Sequence, residues 1–238
     1  KEVEFQKIAI GKDFGKETGK LNKSDLLALD ESRAVELVKA FSKSSWKVSK
    51  IEQKPANQNP YPPFITSTLQ QEGIRKLRMS SQQVMRTAQH LYEEGYITYM
   101  RTDSISLSSE ALNASRNAIQ SLYGIEYLPD KPRVFKSKVK NAQEAHEAIR
   151  PAGSIFHSPK DIQGKLDDQE WKLYDLIWKR TLASQMKSAK LLKTNVEISD
   201  GNAIFDAKGK VIEFRGFLKV YVEDIDDPGK EKDDKESV

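Results

Sequence analysis

A chain of 238 residues with 37% hydrophobic and 8% aromatic side chains has material for one large or two modest domains, and its 31% charged residues call for extended solvated faces. It has no cysteine, which excludes a disulfide framework and a thiolate metal site in this stretch, and no apolar run near the roughly 20 residues that a membrane span takes. Thirty-nine bases against 35 acids give +4, but Asp224–Val238 holds seven acids and three lysines, so the rest carries +8 and favours a polyanionic partner, nucleic acid first.

Mildly basic proteins without such a partner share that balance. No secretory signal opens the chain. Lys1 leads directly into a strand-like pattern, so the sequence reads as a piece of a longer protein.

Val3 and Phe5, then Ile8 and Ile10, alternate with polar residues, the pattern of half-buried strands. Residues 11–25, GKDFGKETGKLNKSD, read as an exposed loop. Asp30 can cap a helix with Ala34, Leu37, Val38 and Phe41 on one stripe. Strand character returns at Trp46–Lys54. The four prolines between Pro55 and Pro63 argue against any continued ladder and mark a boundary near residue 65.

The next block is helical. Ser80 or Ser81 caps a helix carrying Val84, Ala88 and Leu91, and Gly95 ends it in the left-handed conformation. Tyr96–Met100, YITYM, is β-branched and aromatic, hence extended. Ser106, Ser108 and Ser109 lead into a helix with Leu112, Ser115, Ile119 and Leu122 spaced for burial, ending near Gly124. Another fits Asp168–Met186, with Trp171, Tyr174, Trp178 and Leu182 inward. From Lys193 the pattern is strand again, through TNVEIS, AIFDA and VIEFRGFLKVYVED, with turns at Gly201 and Gly209. No internal repeat is visible.

Strands, helices, strands imply an α+β fold. Its economical form is a β-rich domain in two sequence halves, residues 1–65 and 188–223, around an inserted, mainly helical domain, 66–187. The acidic tail, 224–238, has too little apolar content to fold and reads as disordered.

Tyr99, Arg101 and Asp103 stand at alternate positions, and in an extended strand they share a face. A tyrosine after a helix is usually a core residue with a surface hydrogen bond. Here its neighbours change the reading. A free phenol has a pKa near 10, so attack on an electrophile needs a nearby cation or base. Arg101 supplies a permanent cation that can grip phosphate oxygens with paired donors. Asp103 suits an N-cap or Asx turn as well as a catalytic role. The row reads as a phosphate site with a phenolic nucleophile.

A second cluster lies at Asn141–Pro151, NAQEAHEAIRP. If helical, it puts His146 and Arg150 one turn apart, with Gln143 three residues before His146, and such a pair can hold or protonate a phosphodiester oxygen. HEAIR begins like a zinc-protease motif but lacks the second histidine. Lys131–Lys140 carries five bases in ten positions, a solvated loop or a backbone-tracking patch. Neither cluster groups the carboxylates that would hold a magnesium ion.

Four segments, Pro63–Glu72, Ala88–Ser104, Ala142–Pro151 and Leu173–Met186, together and in this order resemble the bacterial type IA DNA topoisomerases. The resemblance covers essentially residues 1–222. It implies that Tyr99 attacks a DNA phosphodiester, forming a 5′-phosphotyrosyl bond and freeing a 3′-hydroxyl, and that the enzyme passes a strand and reseals without ATP. The whole enzyme would thereby relax negatively supercoiled DNA. Arg101 would bind the scissile phosphate, and Asp103 would support it. His146 would contact the scissile-strand backbone, joined by Arg150. Gln89, Tyr92 and Glu93 would line the single-strand path.

The implied architecture is a β-rich arch with a helical insertion that carries the tyrosine. The family's Toprim domain, which binds Mg2+, lies outside these residues. No metal site is therefore expected here, and the chain alone should not cleave DNA. DNA, as single-stranded segments and negatively supercoiled duplex, and the rest of the topoisomerase are the expected partners. A membrane is not, and the expected location is the cytoplasm with the nucleoid. Two alternatives stay open: a non-catalytic arch that binds single strands by charge, and the topoisomerase half of a reverse gyrase. A tyrosine recombinase would need two arginines and a histidine from widely spaced helices around the tyrosine.

Overall fold

The computed structural model describes residues 7–8, 26–135 and 146–221. The expected strands at Val3–Phe5 and Ile10, the 11–25 loop, the lysines at 136–140, Asn141, Gln143 and the acidic tail lie outside the described residues.

The described residues fall into two units, one within 1–54 and 192–211, the other within 55–191 and 212–238. In the first, β1 (Lys7–Ile8) pairs in parallel with β2 (Leu26–Leu27). Helix α1 (Glu31–Phe41) starts where expected, because the Asp30 carboxylate accepts from the Arg33 N–H at 2.8 Å. Its stripe is narrower than the spacing implies. Ala34, Leu37 and Phe41 are half-buried, but Val38 is exposed. Phe41, Trp46 and Phe205 close against one another edge to face, with centroids 4.8–5.8 Å apart.

Strands β3 (Lys47–Gln58), β4 (Ala189–Ser199) and β5 (Ile204–Phe214) form an antiparallel sheet in the order β3-β4-β5. Two expectations fail here. Pro55 does not end β3, because β3 is an edge strand and an edge residue can go without a ladder donor. Gly209 is not a turn but sits inside β5. The turn comes at 200–203, where Asp200 Oδ1 accepts from the Asn202 and Ala203 N–H groups.

The second unit is built on α5 (Asp168–Gln185), which has most of its length buried, from Leu173 through Ile177 and Trp178 to Leu182. Asp167 caps it, and the Asp167 N–H in turn donates to the Glu170 carboxylate. Helices α3 (Ser81–Glu93) and α4 (Ser109–Tyr123) pack on α5, and α2 (Thr66–Leu77) packs on both α3 and α5. Ser80 caps α3 through a reciprocal box with Gln83 and buries Val84, Ala88 and Leu91 as the spacing predicts. In α4 the buried face is Ala111, Ala114, Ser115 and Ile119, while Leu122 is 52% exposed. Small residues let α4 lie close to α5, which turns the leucine outward.

Beyond Phe214 the expected strand does not continue. Gly216 opens a short 3-10 turn (Gly216–Lys219) at φ 50. A Cβ there would stand 2.5 Å from the carbonyl oxygens of both Lys187 and Ser188. The close approach seats Phe217 and Tyr221 in the core, with the Tyr221 hydroxyl donating to Glu72 at 2.7 Å.

Candidate active site around Tyr99

The Tyr96–Ser104 segment is not a strand. Its one ladder contact is an antiparallel bridge between Ile97 and Pro151. The alternation read from the sequence survives all the same. Met100 and Ser104 are buried and Thr98 and Thr102 half-buried, while Tyr99, Arg101 and Asp103 are exposed. The three candidate side chains therefore lie on the outer edge of a segment whose intervening residues face in.

Two threonines hold that segment, and sequence reasoning missed both. Thr66, at the start of α2, donates its hydroxyl to the Met100 and Thr102 carbonyls at 2.8 and 3.1 Å and accepts from the Thr102 N–H at 2.9 Å. Thr98 donates its hydroxyl to the Ala148 carbonyl at 2.7 Å and accepts from the Arg150 N–H at 3.0 Å. Its own N–H donates to the Arg150 carbonyl at 2.9 Å. Tyr99 thus sits between two backbone clamps, one on each side.

The 146–150 stretch, expected as a helix, is extended. Ile149 bridges Phe64, and Pro151 bridges Ile97. The chain pairs with two neighbours there, so the helical stacking of His146 on Arg150 does not occur. His146 is exposed, whereas Arg150 is buried, with every donor group turned inward. Its Nε and Nη2 donate to the two Glu147 carboxylate oxygens, each at 2.9 Å. Its Nη1 donates to the carbonyls of Pro151 at 2.8 Å and Gly153 at 3.2 Å.

Glu147, also missed, accepts in addition from the Ser108 N–H at 2.7 Å, just before α4. Burial alone would raise its carboxyl pKa. The hydrogen bonds from Arg150 and Ser108 outweigh that and hold it below the usual carboxylate range. One ion pair therefore ties the backbone just before α4 to the backbone that grips Thr98. The available signal was a glutamate three residues before an arginine inside an otherwise apolar run.

Of the α3 residues, Gln89, Tyr92 and Glu93 are all exposed, and Gln89 Nε2 donates to Glu93 at 2.9 Å. Tyr92 meets Tyr99 edge to face, with ring centroids 5.2 Å apart and planes at 65°. Arg133, in the basic run, points into the fold rather than tracking a ligand. It donates to the Met186 carbonyl at 2.8 Å and to Ser188 Oγ at 2.7 Å.

Among the described residues no three His, Cys, Asp or Glu side chains gather to hold a metal ion. No described helix is long and apolar enough to cross a membrane.

A sequence profile of the family described as DNA topoisomerase matches residues 1–237. DNA topoisomerase 1 of Mycolicibacterium smegmatis is 50% identical over 242 residues, covering 99% of this chain and 26% of that protein. The protein of the same name in Synechococcus elongatus is 48% identical over 232 residues, 97% of this chain and 26% of that one. A solved structure of full-length topoisomerase I from Thermotoga maritima matches at a TM-score of 0.68 and 35% identity, over 83% of this chain and 32% of that chain. The chain spans about a quarter of the length of the curated relatives it matches.

Proposed function

Because the chain belongs to the DNA topoisomerase family, we propose that it carries the nucleophile of a type IA enzyme, which relaxes negatively supercoiled DNA by opening one strand at a time. The observation that carries this is the placement of Tyr99. Tyr99 is 49% exposed on a backbone clamped from both sides, and the exposed Arg101 stands two residues on.

The Tyr99 oxygen attacks the phosphorus of a DNA phosphodiester. The bond to the 3′ oxygen breaks, that oxygen leaves as a hydroxyl with a proton, and the 5′ phosphate stays on the tyrosine. One phosphodiester is exchanged for another, so resealing by the 3′-hydroxyl needs no ATP. Arg101 holds the non-bridging oxygens and offsets charge as the fifth bond forms. Asp103 supports that arrangement, and His146, exposed beside the clamped stretch, meets the strand's backbone. Gln89, Tyr92 and Glu93 border the path of the single strand. Arg150 is better placed as a positioning residue than as a DNA contact, because its donors are already engaged.

The Mg2+ expected of the whole enzyme would be bound by other parts of it, and this chain alone would not cleave. The strand-rich segments 1–65 and 188–223 would form two halves of a β-rich arch around the helical insertion. The separation of a two-segment unit from a helical one supports that reading. The working location is with chromosomal DNA in the bacterial cytoplasm.

The test replaces the matching quarter of the Mycolicibacterium smegmatis relative with this chain. The chimera is given magnesium and a labelled single-stranded oligonucleotide. A covalent adduct at the 5′ phosphate, absent in Tyr99→Phe, is the expected result. An adduct at a 3′ phosphate, or one that survives Tyr99→Phe, would overturn the assignment. Unimpaired strand binding without any adduct would favour the non-catalytic arch.

A further inference from the structure

The nucleophile's ring has a fixed neighbour, and that neighbour lies outside the cleavage chemistry described so far. We propose that Tyr92 is a positioning residue that holds the Tyr99 side chain in its attacking rotamer before DNA arrives; the inference rests on Tyr99 being the nucleophile.

An exposed tyrosine samples several χ1 wells, and only one of them can aim its oxygen at a given phosphorus. A useful geometry puts the reacting atoms about 3–3.5 Å apart, so a side chain spread over wells loses rate in proportion. Neither the Tyr99 nor the Tyr92 hydroxyl has a hydrogen-bond partner among the described residues. What Tyr99 has is the edge-to-face contact with Tyr92, centroids 5.2 Å apart.

The contact is useful because the backbone that carries Tyr92 cannot move far. It lies in the last turn of α3, whose inner face, Val84, Thr87, Ala88 and Leu91, is buried. The connection to Tyr99 is equally fixed. Glu94 N–H donates to the His90 carbonyl, Gly95 N–H to Tyr92 and Tyr96 N–H to Leu91, at 2.8–3.0 Å. Gly95 stands at φ 76, which folds the chain back so that residue 99 returns over residue 92. Helix, turn and Thr98 clamp therefore define both ends of the ring pair. The contact uses the ring and not its hydroxyl, so phenylalanine should replace Tyr92 and alanine should not.

Two readouts test this. In the 238-residue chain without DNA, 3-fluorotyrosine placed at position 99 reports the ring contact by 19F NMR. Tyr92→Ala should shift and narrow that resonance toward free fluorotyrosine, and Tyr92→Phe should leave it in place. An unmoved resonance in Tyr92→Ala overturns the contact, whatever the enzyme does. In the chimera, single-turnover cleavage by Tyr92→Ala at saturating oligonucleotide should slow about tenfold, with rescue by Tyr92→Phe. A raised Kd with an unchanged rate at saturation would make Tyr92 a stacking platform for a base and sink the positioning role. An adduct that persists in Tyr99→Phe would instead remove the assigned nucleophile, leaving the NMR arm to decide the ring contact alone.

Discussion

Glu147→Ala asks whether the ion pair behind Tyr99 sets the backbone that carries it. The substitution leaves the Arg150 side chain, 7% exposed, with its charge and two of its donors unmatched. Removing one partner of a buried pair costs about 3–5 kcal/mol. The Glu147 side chain is itself 24% exposed, so water can enter part of its place and the lower end, about 3 kcal/mol, is expected. Arg150 bonds Thr98 through both its N–H and its carbonyl, so the loss should register at the Thr98 amide. A loss of that size corresponds to roughly a hundredfold faster hydrogen exchange there. For a unit of this size it also lowers the melting transition by roughly 6–12 °C in calorimetry. Arg150→Met should cost less, about 1–2 kcal/mol, because a half-buried glutamate left alone can be hydrated while a buried cation cannot. Exchange at Thr98 within about threefold of the parent, with an unmoved transition, would refute the clamp.

Four further outcomes follow from the geometry. Glu147 and Glu72 are both held below the ordinary carboxylate value of 4.5 by their hydrogen-bonded partners, against the opposing effect of burial. Their stabilisation is complete above that value and disappears as pH falls through the lower folded pKa. The melting temperature should therefore hold from pH 7 to about 5 and then drop, less steeply in Glu147→Ala; a drop beginning above pH 6 would refute it. Thr66→Val strands the Met100 carbonyl and the Thr102 N–H, while the Thr102 carbonyl keeps the Thr66 N–H at 3.0 Å, and urea unfolding should show a loss of about 2 kcal/mol. Gly216→Ala drives a Cβ into two backbone carbonyls and should cost more than about 2 kcal/mol in the same assay. Gly95→Ala meets open space and should cost only the left-handed penalty, about 1 kcal/mol; equal losses at the two glycines would show that the contacts at Gly216 yield.

Helices were legible where a cap and an apolar period coincide, as at Asp30, Ser80 and Ser108. Each of these residues accepts from the N–H three positions on. The rotation of α4 was not legible, because its packing face is made of alanine and serine rather than the leucines that periodicity weighs. Pro55 and Gly209 misled because propensity assumes a central strand, and both positions tolerate their residues for reasons of sheet context.

At the site, the row of Tyr99, Arg101 and Asp103 was visible as alternation, although no ladder enforces it. What stayed hidden was the support. Thr66 and Thr98 act through partners far away in the chain, as Glu147 does at Ser108, and no local pattern records such pairing. Arg150 shows the converse. Its charge invited a ligand, but the carboxylate that claims it stands three residues before it.

The clamps on Tyr99 also bear on when the site comes into being. Thr66 reaches across 34 and 36 residues to Met100 and Thr102, and Thr98 reaches across 50 and 52 to Ala148 and Arg150. Bonds that close such long loops form only after the intervening helices have docked. A chain still folding, or one nicked between α4 and Ala148, has the tyrosine but not its setting. The clamped arrangement around Tyr99 is thus a late product of folding. A protease cut far along the sequence can dismantle it without touching the residue proposed as the nucleophile.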